Sequence, residues 1–321
     1  MAHKIDTPYI TDMALLKHLE ETVTGKMQYT LLNDFLAKYG LQLDLYALKG
    51  LLAAALKIPL DSITDIQVLN PTEPSKIISE KDCILDIKLE LNHKEIINIE
   101  IQNQYQDFWQ DRAMTYTCRM YDNLEEGNDY DNIKPCIHIG ILNFSLNNTE
   151  EFYSDYRVLN TTTHEEFTNK FIIKVLMLNN IENATEEQKA NYNSIYYWAK
   201  LFKAKTWEEL RMIAEKNERM KSLVNTASEL SGDRSVKEAC EARFIYQMDI
   251  NTYEHRIQQR DQVIEEQQGT IEEQRGQLQQ KDELLEQKDE LLEQKDNLLE
   301  QSATEIDELK RKLKEYEEKY K

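Results

Sequence analysis

The sequence predicts an α/β domain whose sheet is flanked by helices, followed by a helical segment and a long C-terminal coiled coil. Three observations carry that prediction: two adjacent stretches that alternate polar with apolar residues, helical periodicity on both sides of them, and an apolar column recurring every seven residues from Ile250 onward. The expected boundaries are 1–185 for the α/β domain with its helical N-terminus, 186–249 for a helical extension and 250–321 for the coiled coil.

The N-terminal third reads as helical from residue 13 to 56, most clearly in Leu45, Leu48, Leu52, Ala55 and Leu56, with Pro59 ending the pattern. Residues 63–69 form a short apolar strand candidate closed by Asn70-Pro71, and 84–91 and 96–102 follow as strands. Helix returns over 106–124, a polar loop over 127–134, and the β-branched run 135–144 predicts a buried strand. Residues 152–171 carry no clear period, whereas 172–177 reads as a further strand. Helical periodicity resumes over 186–248, anchored by Trp198, Leu201, Phe202, Trp207, Leu210 and Ile213.

The seven-residue column runs through Ile250, Ile257, Ile264, Ile271, Leu278, Leu285, Leu292, Leu299, Ile306, Leu313 and Tyr320. A strict period of this kind implies a left-handed supercoil between helices and therefore a homo-oligomer. The second core column is mostly Gln, Lys and Asp, relieved only by Leu284, Leu291 and Leu298, so the association is expected to be weak or partner-dependent. An isolated helix held by intrahelical charge pairs is the alternative.

With 40% hydrophobic residues, the 321-residue chain has enough apolar material for a substantial core. Its formal charge of -20 argues against non-specific adhesion to nucleic acid or anionic membrane, so DNA binding would need a local site. Cys83, Cys118, Cys136 and Cys240 show no metal-binding spacing and read as reduced core thiols. The opening residues show no basic-then-apolar pattern, and no apolar run approaches the ~20 residues of a membrane span; a cytoplasmic location without membrane contact is expected.

Chemistry concentrates in the strand pair. Asp86, Lys88 and Glu90 share one face opposite Ile87, Leu89 and Leu91, while Asn98, Glu100 and Gln102 share a face opposite Ile97, Ile99 and Ile101. Pairing polar face with polar face through an odd-numbered turn sets Asp86 across from Glu100. Like charges placed so, about 5 Å apart at Cβ, destabilise a sheet unless compensated, and a divalent cation would compensate them. A merely solvated acidic face is the competing interpretation.

The order of helix, strand, hairpin with Asp and then Glu-x-Gln, and helix resembles the PD-(D/E)XK nuclease superfamily, whose core is a mixed sheet flanked by helices. The wider text is similar to its branch of Rpn-type recombination-promoting nucleases and putative transposases. The likeness runs through Asn33-Asp34-Phe35, residues 66–71, the Ile84-to-Lys88 strand, Ile99-Glu100-Ile101-Gln102, Arg112 with Tyr116 and Tyr121, Gly127-Asn128-Asp129-Tyr130 and Lys134-Pro135. It implies a Mg²⁺-dependent DNA endonuclease linked to recombination or mobile elements. Asp86 and Glu100 would bind the metal and Gln102 would take the place of the parent Lys as third catalytic residue; Lys88 and Arg112 are candidate contacts to substrate phosphate, a simple salt bridge on its helix being the alternative for Arg112. Gln orients a water but supplies no charge, so activation of the water would rest on the cation. The family's start is matched only loosely at Asn33-Asp34-Phe35-Leu36-Ala37-Lys38, and Asp34 reads as a surface helix residue. A second class of function is a non-catalytic nuclease-fold scaffold acting through its coiled coil.

Other chemistries find no support. His164-Glu165-Glu166-Phe167-Thr168 begins like a zinc-protease helix but has Thr168 where the second His belongs. No phosphate-binding Gly-rich loop and no Gly-x-Ser-x-Gly elbow occurs. Tyr192, Tyr196, Tyr197 and Trp198 have the helical spacing of core residues.

Overall fold

A computed structural model describes residues 5–71, 86–122, 129–147 and 149–319. The expected strand start at Ile84 and Leu85, the helix end at Leu124, the loop residues Gly127 and Asn128, Cys83 and Tyr320 lie outside them. The chain divides into two compact units, Met1–Met248 and Asp249–Lys321.

Three helices lead: α1 (Met13–Thr22), α2 (Asp34–Leu43) and α3 (Leu45–Leu56). Each starts on a side chain that accepts a free N–H of the first turn: Asp12 from Ala14, Asn33 from Leu36 and Asp44 from Ala47. Lys57 ends α3 in the left-handed conformation, φ 57°, two residues before Pro59. Of the apolar stripe read from the sequence, Leu48, Leu52 and Ala55 are fully buried and Leu45 nearly so, whereas Leu56 at the helix end is half-buried.

The six strands described are β1 (Ile66–Val68), β2 (Asp86–Leu91), β3 (Glu95–Gln102), β4 (Cys136–Leu142), β5 (Tyr153–Leu159) and β6 (Glu166–Met177). They form one sheet in the order β1-β2-β3-β4-β6-β5, parallel between β3, β4 and β6 and antiparallel elsewhere. The first strand is shorter than expected: Ile63 instead follows a 3-10 turn (Leu60–Ser62) and is buried in the core. The stretch without a clear period resolves into β5 and the first half of β6. Both are edge elements facing water for much of their length, so neither carries a regular apolar rhythm.

The β2–β3 hairpin turns through Asn92 and His93, both at positive φ (52° and 58°), which Asn tolerates best among non-glycine residues. Asn92 Oδ1 also accepts the N–H groups of Thr64 and Asp65, fastening the turn to the segment before β1.

Helix α4 (Trp109–Tyr121) lies over β4 and β6, burying Trp109 and Ala113 with Leu142, Val175 and Met177. Against the opposite face pack α2 and α3, and the later helices α6 (Ile195–Lys203), α7 (Trp207–Ala214) and α8 (Glu218–Leu230) join the same core, while the short α5 (Glu186–Ala190) buries no residue and lies beside α6. One core therefore joins Leu48 and Leu51 to Ile87, Ile99 and Ile139 and to Trp198, Phe202 and Leu223. Reciprocal caps at Thr185/Gln188 and Thr206/Glu209 start α5 and α7.

Helix α9 (Arg234–Lys319) spans 86 residues. Its first turns belong to the first unit, where Val236, Ala239 and Cys240 pack on Phe35, Leu36 and Leu230. Asp34 is not the surface residue that the sequence suggests. It is 3% exposed and its Oδ2 lies 2.6 Å from Arg243 Nε, a partner 209 positions away that local periodicity has no means of revealing. Cys136 and Cys240 are buried as expected, whereas Cys118 sits on the exposed face of α4. In the second unit the seven-residue column stays about half exposed along the single helix, Ile264 at 50% and Leu285 at 58%. No helix among the described residues is long and apolar enough to cross a membrane.

Candidate active site

The polar faces of β2, β3 and β4 form a continuous patch. Asp86 pairs in register with Glu100 and Lys88 with Asn98; on the other side of β3, Asn98 pairs with His138, Glu100 with Gly140 and Gln102 with Leu142. The register read from the sequence, Asp86 opposite Glu100, is the one observed. The three-residue turn between Leu91 and Glu95 keeps both polar sets on one side. Asn70 secures the start of β2, accepting the Lys88 N–H and donating to the Asp86 carbonyl at 2.7 and 2.9 Å.

These carboxylates are not solvated. Asp86 is 5% exposed and Glu100 1%. Burial, and then the Glu100 charge across the ladder, push the Asp86 carboxyl from 3.8 up to about 6, partly offset by a hydrogen bond from Asn98. Gln102 is also buried, at the end of β3 on the same face, and Lys88 is half-buried beside Asn98.

Arg112 reaches the pair from α4. Its Nη2 lies 3.2 Å from Glu100 Oε1, its Nη1 donates to Gln106 Oε1 at 3.3 Å, and its guanidinium lies over the Tyr116 ring. Burial alone would lower the Arg112 pKa, but Glu100, then Tyr116 and Asp86, more than reverse the effect and hold the guanidinium charged. Its position beside Glu100 follows from Trp109, which starts α4 against Gly140. A Cβ on Gly140 would stand 2.3 Å from the Trp109 ring, so only glycine admits this approach.

The site suits a divalent cation in one respect that hydrogen bonding alone does not satisfy. Both Glu100 oxygens are buried, and neither makes a hydrogen bond of good geometry among the described residues; Arg112 and His138 approach them off-axis at 3.2 and 3.4 Å. A buried carboxylate with open acceptor positions, opposite a second buried carboxylate, matches the ligand chemistry of a hard cation. Among the described residues no group of three or more His, Cys, Asp or Glu is placed to hold a metal. Two carboxylates fit Mg²⁺, which retains water and takes up phosphate oxygens, better than an ion needing a closed protein cage.

His138 was not singled out by the sequence, yet it is fully buried beside this pair. Its signal was present: in Cys136-Ile137-His138-Ile139-Gly140-Ile141-Leu142, one polar side chain interrupts a run that is apolar on both faces. What was missing was the parallel β3–β4 register that turns it toward Asn98 and Glu100.

A mixed sheet whose antiparallel hairpin opposes a buried Asp and Glu beneath a flanking helix defines the PD-(D/E)XK nuclease fold. A family model described as PD-(D/E)XK nuclease family transposase matches residues 32–256, and the chain belongs to that family. No curated protein and no solved structure gives a significant match.

Proposed function

We propose that this protein is a metal-dependent DNA endonuclease that hydrolyses phosphodiester bonds in recombination or transposase-like events. The observation supporting it most directly is the buried, cross-strand Asp86–Glu100 pair with the open oxygens of Glu100. Asp86 and Glu100 are the residues that would hold Mg²⁺. Bound there, the ion supplies Lewis-acid stabilisation of charge on the scissile phosphate. Gln102, on the same face, orients the attacking water through its amide. Arg112, 3.2 Å from Glu100, turns its charge to a substrate phosphate, and Lys88 flanks the same face. The coiled-coil segment joins two or more copies, so that paired sites act on both strands.

The test is nicking and linearisation of plasmid at low salt by wild type with Mg²⁺, wild type with EDTA, and Asp86→Ala. Cleavage that requires metal and disappears in the variant supports the reading. Absence of cleavage with Mg²⁺ and Mn²⁺ on single- and double-stranded DNA overturns it. The scaffold reading then takes its place, favoured by the Arg112 guanidinium already beside Glu100 and by the acidic charge of the chain.

A further inference from the structure

One amide nitrogen links the two carboxylate strands to β4. Asn98 Nδ2 lies 3.3 Å from Asp86 Oδ2 and 3.2 Å from His138 Nδ1. The Asn98 amide turns its NH₂ toward that side, donating to Asp86 Oδ2, and the second hydrogen of the NH₂ group faces His138 Nδ1. An N–H pointing at Nδ1 requires Nδ1 to accept. With Nδ1 accepting, a singly protonated ring carries its proton on Nε2, the nitrogen 3.4 Å from Glu100 Oε2. Trp109 and Tyr116 enclose the ring, with centroids 5.8 and 6.5 Å from it, and leave it no solvent exposure. His138 Nε2 and Glu100 Oε2 are both buried, and neither has another hydrogen-bond partner among the described residues.

We propose that His138 is a positioning residue for Glu100. Asn98 sets its tautomer, and the resulting Nε2–H holds Glu100 Oε2, leaving Oε1 as the oxygen that exchanges between Arg112 and a divalent cation. This rests on the reading of Asp86 and Glu100 as cation ligands. Outer-shell partners of ligating side chains typically alter metal affinity by ~10–100-fold when removed. The 3.4 Å separation lies within reach of a hydrogen bond, and Trp109 packs against the His138 ring with centroids 5.8 Å apart.

The experiment measures Mn²⁺ affinity of the full chain by calorimetry for wild type, Asp86→Asn, His138→Leu and His138→Gln, with folding checked by circular dichroism. Leu fills the volume without donating, whereas the Gln amide restores a donor near Nε2. The expected result is at least tenfold weaker binding for H138L and near-wild-type binding for H138Q. Wild-type affinity in a folded H138L overturns the positioning role and leaves the metal reading intact; equal loss in both variants assigns His138 to packing alone and also overturns it. Failure of the wild type to bind Mn²⁺, or undiminished binding by Asp86→Asn, removes the metal reading and this inference with it. A second measurement needs neither metal nor a folded variant. ¹⁵N NMR of histidine-labelled wild type, without metal, should show His138 as the Nε2–H tautomer, and an Nδ1–H tautomer overturns the proposal.

Discussion

Asp86 and Glu100 face each other across the β2–β3 ladder with 5% and 1% of their surfaces exposed, two acids withdrawn from water in adjacent strands. The fold therefore prefers Asp86 protonated, with its carboxyl raised from 3.8 to about 6. A group raised in this way contributes its full stabilisation below its ordinary value and loses it as pH climbs through the folded value. Without metal, stability should fall by roughly 2 kcal/mol between pH 4 and pH 7 from this group. Asp86→Asn, which mimics the protonated acid, should flatten that slope and make the metal-free protein more stable than wild type at pH 7. Urea unfolding across this range in EDTA measures both effects. Mg²⁺ should then stabilise wild type more at pH 7.5 than at pH 5, and EDTA should abolish the difference.

Gly140→Ala tests how α4 is seated. The added methyl carbon would stand 2.3 Å from the Trp109 ring, and the indole is walled in by Leu142, Val175 and Met177. Overpacking of this kind costs about 1–3 kcal/mol, and the displaced helix carries Arg112 away from Glu100. Thermal unfolding should show the loss. Gly40→Ala, whose new methyl would meet only Leu223 and Leu230 at 3.5 and 3.9 Å, should be milder.

Much of the fold and of the candidate site was legible because both depend on period-two patterning. Ile87, Leu89 and Leu91 against Asp86, Lys88 and Glu90 specify which side of β2 is core, and the odd turn then specifies the partner of Asp86. What escaped depends on non-local register. His138 meets Asn98 only through a parallel pairing across the whole of α4, and Asp34 meets Arg243 from the far end of the folded unit. The 152–171 stretch was unreadable because β5 and the start of β6 are exposed edges with no buried face to impose a rhythm.

The Asp34–Arg243 pair fastens α2 to the base of the long helix. Burial raises the Asp34 pKa, and Arg243 works against that rise through charge and a hydrogen bond. Removing the cation leaves a buried carboxylate without its counter-ion, so Arg243→Met should destabilise the first unit by about 3 kcal/mol at pH 7. Combining it with Asp34→Leu should recover part of the loss, because the uncompensated charge is then gone. A double-mutant cycle in chemical denaturation gives the coupling directly, and additive effects would exclude it.

The second unit offers the sharpest test of assembly. Ile264, Ile271, Leu285 and Leu292 lie 49–58% exposed along one face of a single helix, more apolar surface than a solitary charged helix needs. Yet Lys281, Lys288 and Lys295 recur in the second core column, where parallel copies would set like charges against one another. If copies pair through this face, association should be modest at low salt and strengthen as salt screens the lysines, opposite to the trend for an assembly held by ion pairs. Ile264→Asn with Ile271→Asn should weaken it by on the order of 1–2 kcal/mol per site, at least tenfold in Kd. Sedimentation equilibrium of the full chain over a hundredfold concentration range, at low and high salt, measures this. A monomer at every concentration, with helicity unchanged by dilution, would instead assign the segment to an isolated helix carried by its own Glu–Lys pairs.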